Sequence, residues 1–237
     1  MKNNSEVEVS IIVPAYNEER GLPIVLDELT HLPLSSFEII VVDDGSTDGT
    51  ALVAKRFPCR LISHAENQGK GAAMRTGIAA SRGRKIIFID ADGSFSASSI
   101  PHIVALLDSY DVVVGCRAFE RGSIRMLNRL GNLLIWMFLR FLFGVSSRDP
   151  LSGLFGIRKE HLLKMELEST GFTIETEIHI KAALMKLKVA NLPIPCHPRI
   201  GESKLSPFRD GYRILKFTLK HALKARRRQV EQEREIR

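Results

Sequence analysis

The sequence has 237 residues, of which 44% are hydrophobic and 26% are charged, a globular composition long enough for one large domain or two small ones. Its three cysteines are odd in number and widely spaced, which argues against a disulfide framework or a zinc site. The net charge is +7, and residues 213–237 hold nine of the 34 lysines and arginines but only three of the 27 acidic residues, so this tail accounts for +6. The charge therefore indicates an anionic surface as partner, and we expect no nucleic acid.

The location of the protein is predicted from two features of the sequence. Residues 1–10 are polar and acidic and contain no apolar run before a cleavage site, so we expect no signal peptide. The cysteine usage indicates a reducing compartment. Together they predict a cytoplasmic protein.

Short apolar strands alternate with amphipathic helices along the first half of the chain. Strands are predicted at residues 9–14, 38–42, 59–63, 86–89 and 111–115. Helices are predicted near residues 20–30, up to about 56, from the glycines at 69–71 onward, and at 98–108. This alternation predicts the α/β class, with a mainly parallel sheet and helices on both faces.

The stretch Ile86–Ser94 delivers two carboxylates into a turn directly after a buried strand. Asp90 and Asp92 are separated by one residue and followed by Gly93 and Ser94. Two hard oxygen ligands at a strand end suit Mg²⁺ or Mn²⁺, which bind one or two carboxylates together with substrate phosphates. A solvated turn is the alternative for this pattern alone.

Two further predicted strands also end in acidic loops. Tyr16 and Glu18 follow the first strand, and Asp43 and Asp44 follow the second. Ligands of parallel α/β sheets bind beyond the carboxyl ends of the strands. We therefore expect all three loops to converge on one crevice.

The segment Gly69–Gly71 is neither a P-loop nor a dinucleotide fingerprint. Gly71 stands where a P-loop requires serine or threonine, and Met74 stands where the third fingerprint glycine would fall. Backbone amides facing a phosphate and a helix start packed against the sheet remain open alternatives.

Two later segments carry apolar or basic patterns suited to a membrane surface. Residues 130–145 are almost wholly apolar but shorter than the roughly 20 residues that cross a bilayer. This stretch, predicted as a helix over 129–145, is either buried or lies in one leaflet with Trp136 at the interface. Residues 210–228 form a predicted amphipathic helix, which is either a solvated tail or a contact with anionic lipid.

Four motifs resemble the successive signatures of inverting family 2 glycosyltransferases. They are Ser10–Glu18, Val41–Asp48, Asn67–Gly71 and Asp90–Asp92. The resemblance covers residues 9 to about 205 and implies the GT-A fold, a Rossmann-like sheet that binds nucleotide-diphospho-sugars. It also implies a single catalytic domain at 1–212, with a nucleotide-sugar-binding half at 9–116, an acceptor half at 117–212 and a basic tail at 213–237.

The second half is similar to the dolichyl-phosphate mannose synthase branch and its glucosyl-transferring relatives. The similarity rests on Arg117, Asp149-x-x-Ser152-Gly153, Phe172-x-x-Glu175-x-Glu177 and Arg199-x-Gly201-Glu202-Ser203-Lys204. The Gln-x-x-Arg-Trp motif of processive members is absent, because the sole tryptophan lies in Leu-Ile-Trp-Met. The sequence departs from the branch at Ser94, where related enzymes often have glutamine, and in having no transmembrane helix after residue 205, which some members have.

The resemblance implies a role for each matching residue. The nucleotide-sugar site would comprise Pro14, Ala15, Tyr16, Glu18, Asp43, Asp90, Ala91 and Asp92. Asp90 and Asp92 would hold Mg²⁺ or Mn²⁺, while Asp44 is the candidate for a structural role. The phosphates would be bound by Arg117, Arg199, Ser203 and Lys204. Asp92, Arg117, Arg199 and Lys204 are thus the candidate catalytic residues, and Glu175 and Glu177 are candidates to position the sugar or Arg199.

The implied reaction is transfer of one sugar from a GDP-mannose or UDP-glucose type donor to a polyprenyl (dolichyl) phosphate. It would occur with inversion at the cytosolic membrane face, to which the protein would attach peripherally. The first alternative is a family 2 transferase acting on a sugar hydroxyl, which needs a base, and Asp149 is the candidate. The second is a non-catalytic protein that binds nucleotide sugar or docks on membranes. The sugar and the oligomeric state are not predicted.

Overall fold

The fold is a seven-stranded sheet covered by helices on both faces. The computed structural model describes residues 6–118, 126–201 and 211–222, without the side chains of residues 118 and 126–129. The strands are β1 Val9–Ala15, β2 Phe37–Asp43, β3 Arg60–Ser63, β4 Lys85–Phe88, β5 Val112–Ala118, β6 Phe155–Arg158 and β7 Val189–Pro195. The helices are α1 Leu22–Thr30, α2 Thr50–Ala54, α3 Lys70–Ala80, α4 Ile100–Leu106, α5 Met126–Phe143, α6 Lys159–Met165 and α7 Ile174–Leu184.

The order in which the strands are added changes direction at the centre of the sheet, between β1 and β4. The order is β3-β2-β1-β4-β6-β5-β7, and β6 runs antiparallel to both of its neighbours, β4 and β5. All other pairs are parallel. Because β1 is followed by β2 on one side and flanked by β4 on the other, a crevice opens beyond the carboxyl ends of these strands. The predicted mainly parallel α/β fold is confirmed.

The two faces of the sheet are buried by different helices because successive side chains of a strand alternate between faces. Ile11 and Val13 pack with α1, α2 and α4 in one cluster. Ile12 packs on the other face with α3, α6 and α7. A strand buried on both faces must be apolar throughout, as Val9–Ala15 nearly is.

Four elements differ from the sequence-based expectation. The helix predicted at 98–108 begins with a 3₁₀ turn, Ala97–Ser99, and continues as α4 to Leu106. The strand β6 and the helices α6 and α7 were not predicted. The sheet is therefore mixed, with one antiparallel strand inserted between β4 and β5.

The two segments with membrane-like patterns are helical where the structure describes them. Helix α5 contacts α7, and residues 211–222 form a helix whose Phe217 packs against a cluster of Leu139, Val145 and Ile180. Within the described ranges, no helix combines the length and apolar character needed to cross a bilayer.

Candidate active site

The three acidic loops converge at the carboxyl edge of β1, β2 and β4, as predicted. The loop after β1 is bonded to the loop after β2, because the Asn17 amide donates to Ser46 Oγ over 2.9 Å and the Glu18 amide donates to Thr50 Oγ1 over 2.8 Å. The loop after β4 packs against the start of α1, where a Cβ on Gly21 would lie 2.6 Å from the Ala91 carbonyl oxygen. These contacts hold the three loops around one crevice.

An arginine from the far end of the chain bridges two of these loops. Arg199 donates from Nη2 to Glu18 Oε1 over 3.1 Å and lies 3.6 Å from Asp92 Oδ2. The chain is held there by the Ile200 amide, which donates to the Asp92 carbonyl over 2.8 Å. We call Arg199, Glu18 and Asp92 the Arg199 cluster.

A second, more enclosed cluster surrounds Lys70 at the start of α3. Its ammonium lies 2.6 Å from Asp90 Oδ1 and 2.5 Å from Glu175 Oε1. Glu175 is in the first turn of α7, and only 6% of its side chain is exposed. Lys70, Asp90 and Glu175 form the Lys70 cluster.

The pKa values in the Lys70 cluster are set by burial and ion pairing. Burial disfavours the charged ammonium, but the ion pairs with Asp90 and Glu175 outweigh it and raise the pKa of Lys70 above its usual range. Burial raises the pKa of Glu175, which Lys70 opposes and the neighbouring Asp90 reinforces. The lysine therefore stays charged and compensates the buried carboxylate of Glu175 and the partly exposed carboxylate of Asp90.

The glycines around Lys70 serve close backbone packing. A Cβ on Gly69 would lie 2.5 Å from the Thr170 carbonyl oxygen, and one on Gly71 would lie 2.5 Å from that of Ser169. Gly69 also has φ of 96°, which favours glycine. The segment is thus a helix start packed against the loop before α7.

Asp44 holds the loop that precedes α3 and does not face the crevice. Its carboxylate accepts from the amides of Gln68 and Gly69 over 3.0 and 2.8 Å, and it contacts His64 Nδ1 at 2.7 Å. Glu177 likewise accepts two backbone amides and pairs with Lys181 at 2.7 Å. Both acids have structural partners in the fold.

Arg117 and Asp149 form a two-pronged pair at the end of β5. Arg117 donates from Nε to Oδ2 over 2.7 Å and from Nη2 to Oδ1 over 2.6 Å. Burial opposes the charge of Arg117, but Asp149 outweighs it and raises the pKa of the guanidinium. Since both oxygens of Asp149 accept hydrogen bonds, its carboxylate orients Arg117 in this structure.

The segment after Asp149 contacts both sides of the crevice wall. Ser152 donates from Oγ to the Gly115 carbonyl oxygen over 2.6 Å. Gly153 lies against Asp90, so closely that a Cβ would fall 2.0 Å from Asp90 Oδ2. A side chain at position 153 would therefore displace the Asp90 carboxylate.

The donor set at the end of β4 fits a magnesium or manganese ion. Asp90 and Asp92 extend from one turn, and the structure places a cationic side chain, Lys70 or Arg199, against each of them. Within the ranges that the structure describes, no three potential metal ligands come together. A divalent ion would therefore need further oxygens from a bound diphosphate, which is how Mg²⁺ is usually held.

Of the remaining predicted residues, five lie in the part of the chain that the structure describes and two lie outside it. Pro14, Ala15 and Ala91 are buried in the walls of the crevice, Tyr16 is half-buried, and Asp43 accepts from the Ser46 amide over 3.2 Å. Ser203 and Lys204 lie outside the described residues. Lys70 was not predicted as a site residue, because the Gly69–Gly71 segment was interpreted only through its backbone and not through the lysine side chain.

Comparisons with known proteins show similarity to glycosyltransferases along most of the chain. The family model for glycosyl transferase family 2 matches residues 10–166. A dolichyl-phosphate hexose transferase of Haloferax volcanii is 32% identical over 225 residues, covering 93% of this chain and 96% of the relative. The human dolichyl-phosphate beta-glucosyltransferase is 31% identical, covering 85% of this chain and 70% of the human protein.

Solved structures share the fold. Glucosyl-3-phosphoglycerate synthase from Mycobacterium tuberculosis, crystallised with Mn²⁺, UDP-glucose and phosphoglyceric acid, superposes with a TM-score of 0.72 at 23% identity. The match covers 91% of this chain and 80% of the synthase. The superposition establishes the architecture of the sheet and its flanking helices.

Proposed function

This chain belongs to glycosyltransferase family 2, and from that premise we propose that it transfers one hexose from a nucleotide-diphospho-sugar to a polyprenyl phosphate. The observation that carries the proposal is the crevice itself, which sets acidic loops for a metal-bound diphosphate beside Arg199. The dolichyl-phosphate transferases among the relatives support the acceptor class. Because the human relative is named for glucose, UDP-glucose is the first donor to test and GDP-mannose the second.

The donor would lie against the loops after β1, β2 and β4. Pro14, Ala15, Tyr16, Glu18 and Asp43 would contact the nucleoside, with Asp43 accepting from the base. Asp90 and Asp92 would hold Mg²⁺ or Mn²⁺, and this ion, when bound, would stabilise the charge that develops on the departing nucleoside diphosphate.

The acceptor phosphate would be bound by basic side chains. The Arg199 Nε atom is buried and has no hydrogen-bond partner in the part of the chain that the structure describes. A phosphate oxygen would satisfy this donor. Arg117, held by Asp149, would also bind the acceptor phosphate. Ser203 and Lys204 remain predicted contributors to this site.

The chemistry requires little from a general base. A phosphate monoester has a second pKa of about 6 and is mostly dianionic at neutral pH. One of its oxygens would attack the anomeric carbon as the bond to the diphosphate breaks, so the configuration inverts and no proton moves. The hydroxyl-acceptor alternative needs a base, whereas in this structure the Asp149 carboxylate is held in a two-pronged ion pair by Arg117.

The proposal is tested by following radiolabelled sugar into an organic phase. Purified protein, Mn²⁺ and a polyprenyl phosphate are combined with UDP-glucose, GDP-mannose or UDP-N-acetylglucosamine in separate reactions. Transfer from one donor supports the proposal. Donor binding without transfer to the lipid, followed by transfer to a sugar hydroxyl that Asp149→Asn slows by about 10²- to 10⁴-fold, would replace it with the alternative.

The proposed site of action is the cytosolic face of a membrane, where the protein would be attached peripherally. The physical reason is the acceptor, since a polyprenyl chain partitions into the bilayer and leaves only its phosphate at the surface. Fractionation of cells into membrane and supernatant, with and without a high-salt wash, tests this location. Release by salt is expected of a peripheral protein held partly by charge.

A further inference from the structure

Helix α5 exposes an apolar face. Its exposed fractions run from 44% to 86% for the large apolar side chains Leu130, Leu133, Leu134, Met137 and Phe141. These positions recur every three or four residues and therefore share one side of the helix. The opposite side is buried through Leu139, which packs with Ile180 of α7.

The helix formed by residues 211–222 has the same organisation. Tyr212, Leu215 and Leu219 are exposed, while Ile214 and Thr218 are buried. Its Phe217 joins the cluster that also contains Leu139 of α5. The two helices therefore share a buried side and present their apolar exposed sides outward.

The charge of both helices has a single sign. Residues 126–143 and 211–222 contain no aspartate or glutamate. Arg140, Arg213, Lys216 and Lys220 are exposed among the apolar side chains. A second copy of this chain would bring like charges together, whereas an anionic lipid surface accepts both the apolar side chains and the cations.

Both helices are close in sequence to predicted phosphate-binding residues. Strand β5 carries Arg117 and precedes α5, and the chain leaves α5 to reach Asp149, the partner of Arg117. Residues 211–222 follow Arg199 along the chain. Short segments of chain therefore connect a surface that binds these helices to the phosphate-binding residues.

We propose that the exposed sides of α5 and of residues 211–222 form one docking surface for an anionic bilayer. The surface would place the crevice next to lipid headgroups, so that a lipid-linked phosphate enters without leaving the membrane. This inference deepens the proposed function by naming the bilayer as partner of the site. Its test requires neither donor nor acceptor.

The test is co-sedimentation of the full-length protein with vesicles of mixed zwitterionic and anionic phospholipid that lack polyprenyl phosphate. Binding is expected, and Leu134→Gln with Phe141→Gln should weaken it by on the order of tenfold or more, because two apolar side chains lose their burial. The matched control is Leu52→Gln with Leu163→Gln, which changes two equally exposed leucines on α2 and α6 and should leave binding unchanged.

The electrostatic part is tested separately. Lys216→Glu with Lys220→Glu should weaken binding to anionic vesicles by about tenfold or more, since each basic residue near an anionic surface contributes about 1 kcal/mol. Added salt should weaken the wild-type protein and leave this variant less affected. Circular dichroism and the thermal midpoint establish that each variant is folded.

Three results would overturn the docking surface. These are no vesicle binding by the wild type, an equal loss in the Leu52 and Leu163 control, or a lipid-free dimer that the Leu134 and Phe141 variant dissociates. Failure of the proposed function looks different, because vesicle binding would persist while no donor gives lipid-linked sugar. Transfer to acceptor in detergent without vesicle binding would instead reject the surface alone.

Discussion

The two charged clusters of the crevice use similar residues in different ways. In the Lys70 cluster the ion pairs measure 2.6 and 2.5 Å, and 17% of the lysine side chain is exposed. In the Arg199 cluster they measure 3.1 and 3.6 Å, and 30% of the arginine side chain is exposed. The tighter cluster joins α3, α7 and the loop after β4, whereas the looser one contains the arginine that we propose binds the acceptor phosphate. The comparison separates Lys70 and Glu175, which support the crevice, from Arg199 and Asp92, which we propose act in it.

The largest expected effect is on the transfer rate, from a substitution at Asp92. Asp92→Asn should lower the transfer rate on the order of a thousandfold, because losing a carboxylate that we propose binds the metal costs several kcal/mol of transition-state stabilisation. Binding of Mn²⁺ in the presence of nucleoside diphosphate, followed by calorimetry, should weaken as well. Asp27→Asn, on the exposed surface of α1, is the control. Full activity of the wild type in excess chelator would refute the metal assignment.

The structural role of the Lys70 cluster is tested by Lys70→Met. Removing the ammonium leaves two carboxylates without their counter-charge, so the free energy of unfolding should fall by about 3–5 kcal/mol. Urea unfolding at neutral pH measures this loss. Lys164→Met, an exposed lysine on α6, is the matched control.

A double substitution distinguishes the cluster from general damage. Glu175→Gln in the Lys70→Met background should restore part of the lost stability, because one uncompensated charge is removed. If the two losses simply add, Lys70 and Glu175 are not coupled and the Lys70 cluster is not a unit.

His179 differs from both clusters, because it is buried and pairs with no acidic side chain of the described residues. His179 of α7 is buried, and its Nε2 has no hydrogen-bond partner among the described residues. Burial lowers the pKa of His179 to about 4, with a small opposing effect of Asp149. Because the folded pKa is depressed, the stabilisation is complete above the unfolded value of about 6.5 and is lost as pH falls towards 4.

The expected loss from His179 is about 3 kcal/mol between these two pH values. Urea unfolding at several pH values across this window measures it. His179→Gln should flatten the dependence there while leaving the acid unfolding of the carboxylates at lower pH in place. An unchanged slope in the variant would show that His179 does not titrate as its burial requires.

The smallest effect on stability is expected for Arg199→Gln. Its ion pairs are long and partly solvated, so the free energy of unfolding should change by less than about 1 kcal/mol. Transfer should nevertheless fall, with Arg199→Lys retaining more activity than Arg199→Gln because it keeps the charge. A stability loss as large as that of Lys70→Met would erase the distinction between the two clusters.

The first half of the fold could be predicted because its signals are local. The strands at Val9–Ala15 and Phe37–Asp43 are apolar runs that end in polar turns, and both were predicted within a few residues. The convergence of the acidic loops followed from the parallel sheet alone, since the ends of such strands meet at one edge.

In the second half, the helices predicted at 129–145 and 210–228 are present where the structure describes them, but several other elements could not be predicted from local patterns. Strand β6 has four residues, too few to show a period, and its antiparallel direction depends on where the chain returns. Helix α7 buries Glu175, Glu177 and His179 as well as its apolar side chains, so its sequence shows no clear apolar stripe. Ion pairs such as Arg117–Asp149 and Lys70–Glu175 join residues far apart in sequence, which no spacing rule reveals.

The five residues from Asp149 to Gly153 have a consequence for recombining this enzyme with its relatives. One end of the segment fixes the guanidinium of Arg117, its middle is bonded to the backbone of β5, and its other end lies against the carboxylate of Asp90. A chimera with its crossover between β4 and this segment would combine parts shaped for different neighbours. The acidic turn, the arginine strand and this short segment thus form one exchangeable block, although sequence separates them by some sixty residues.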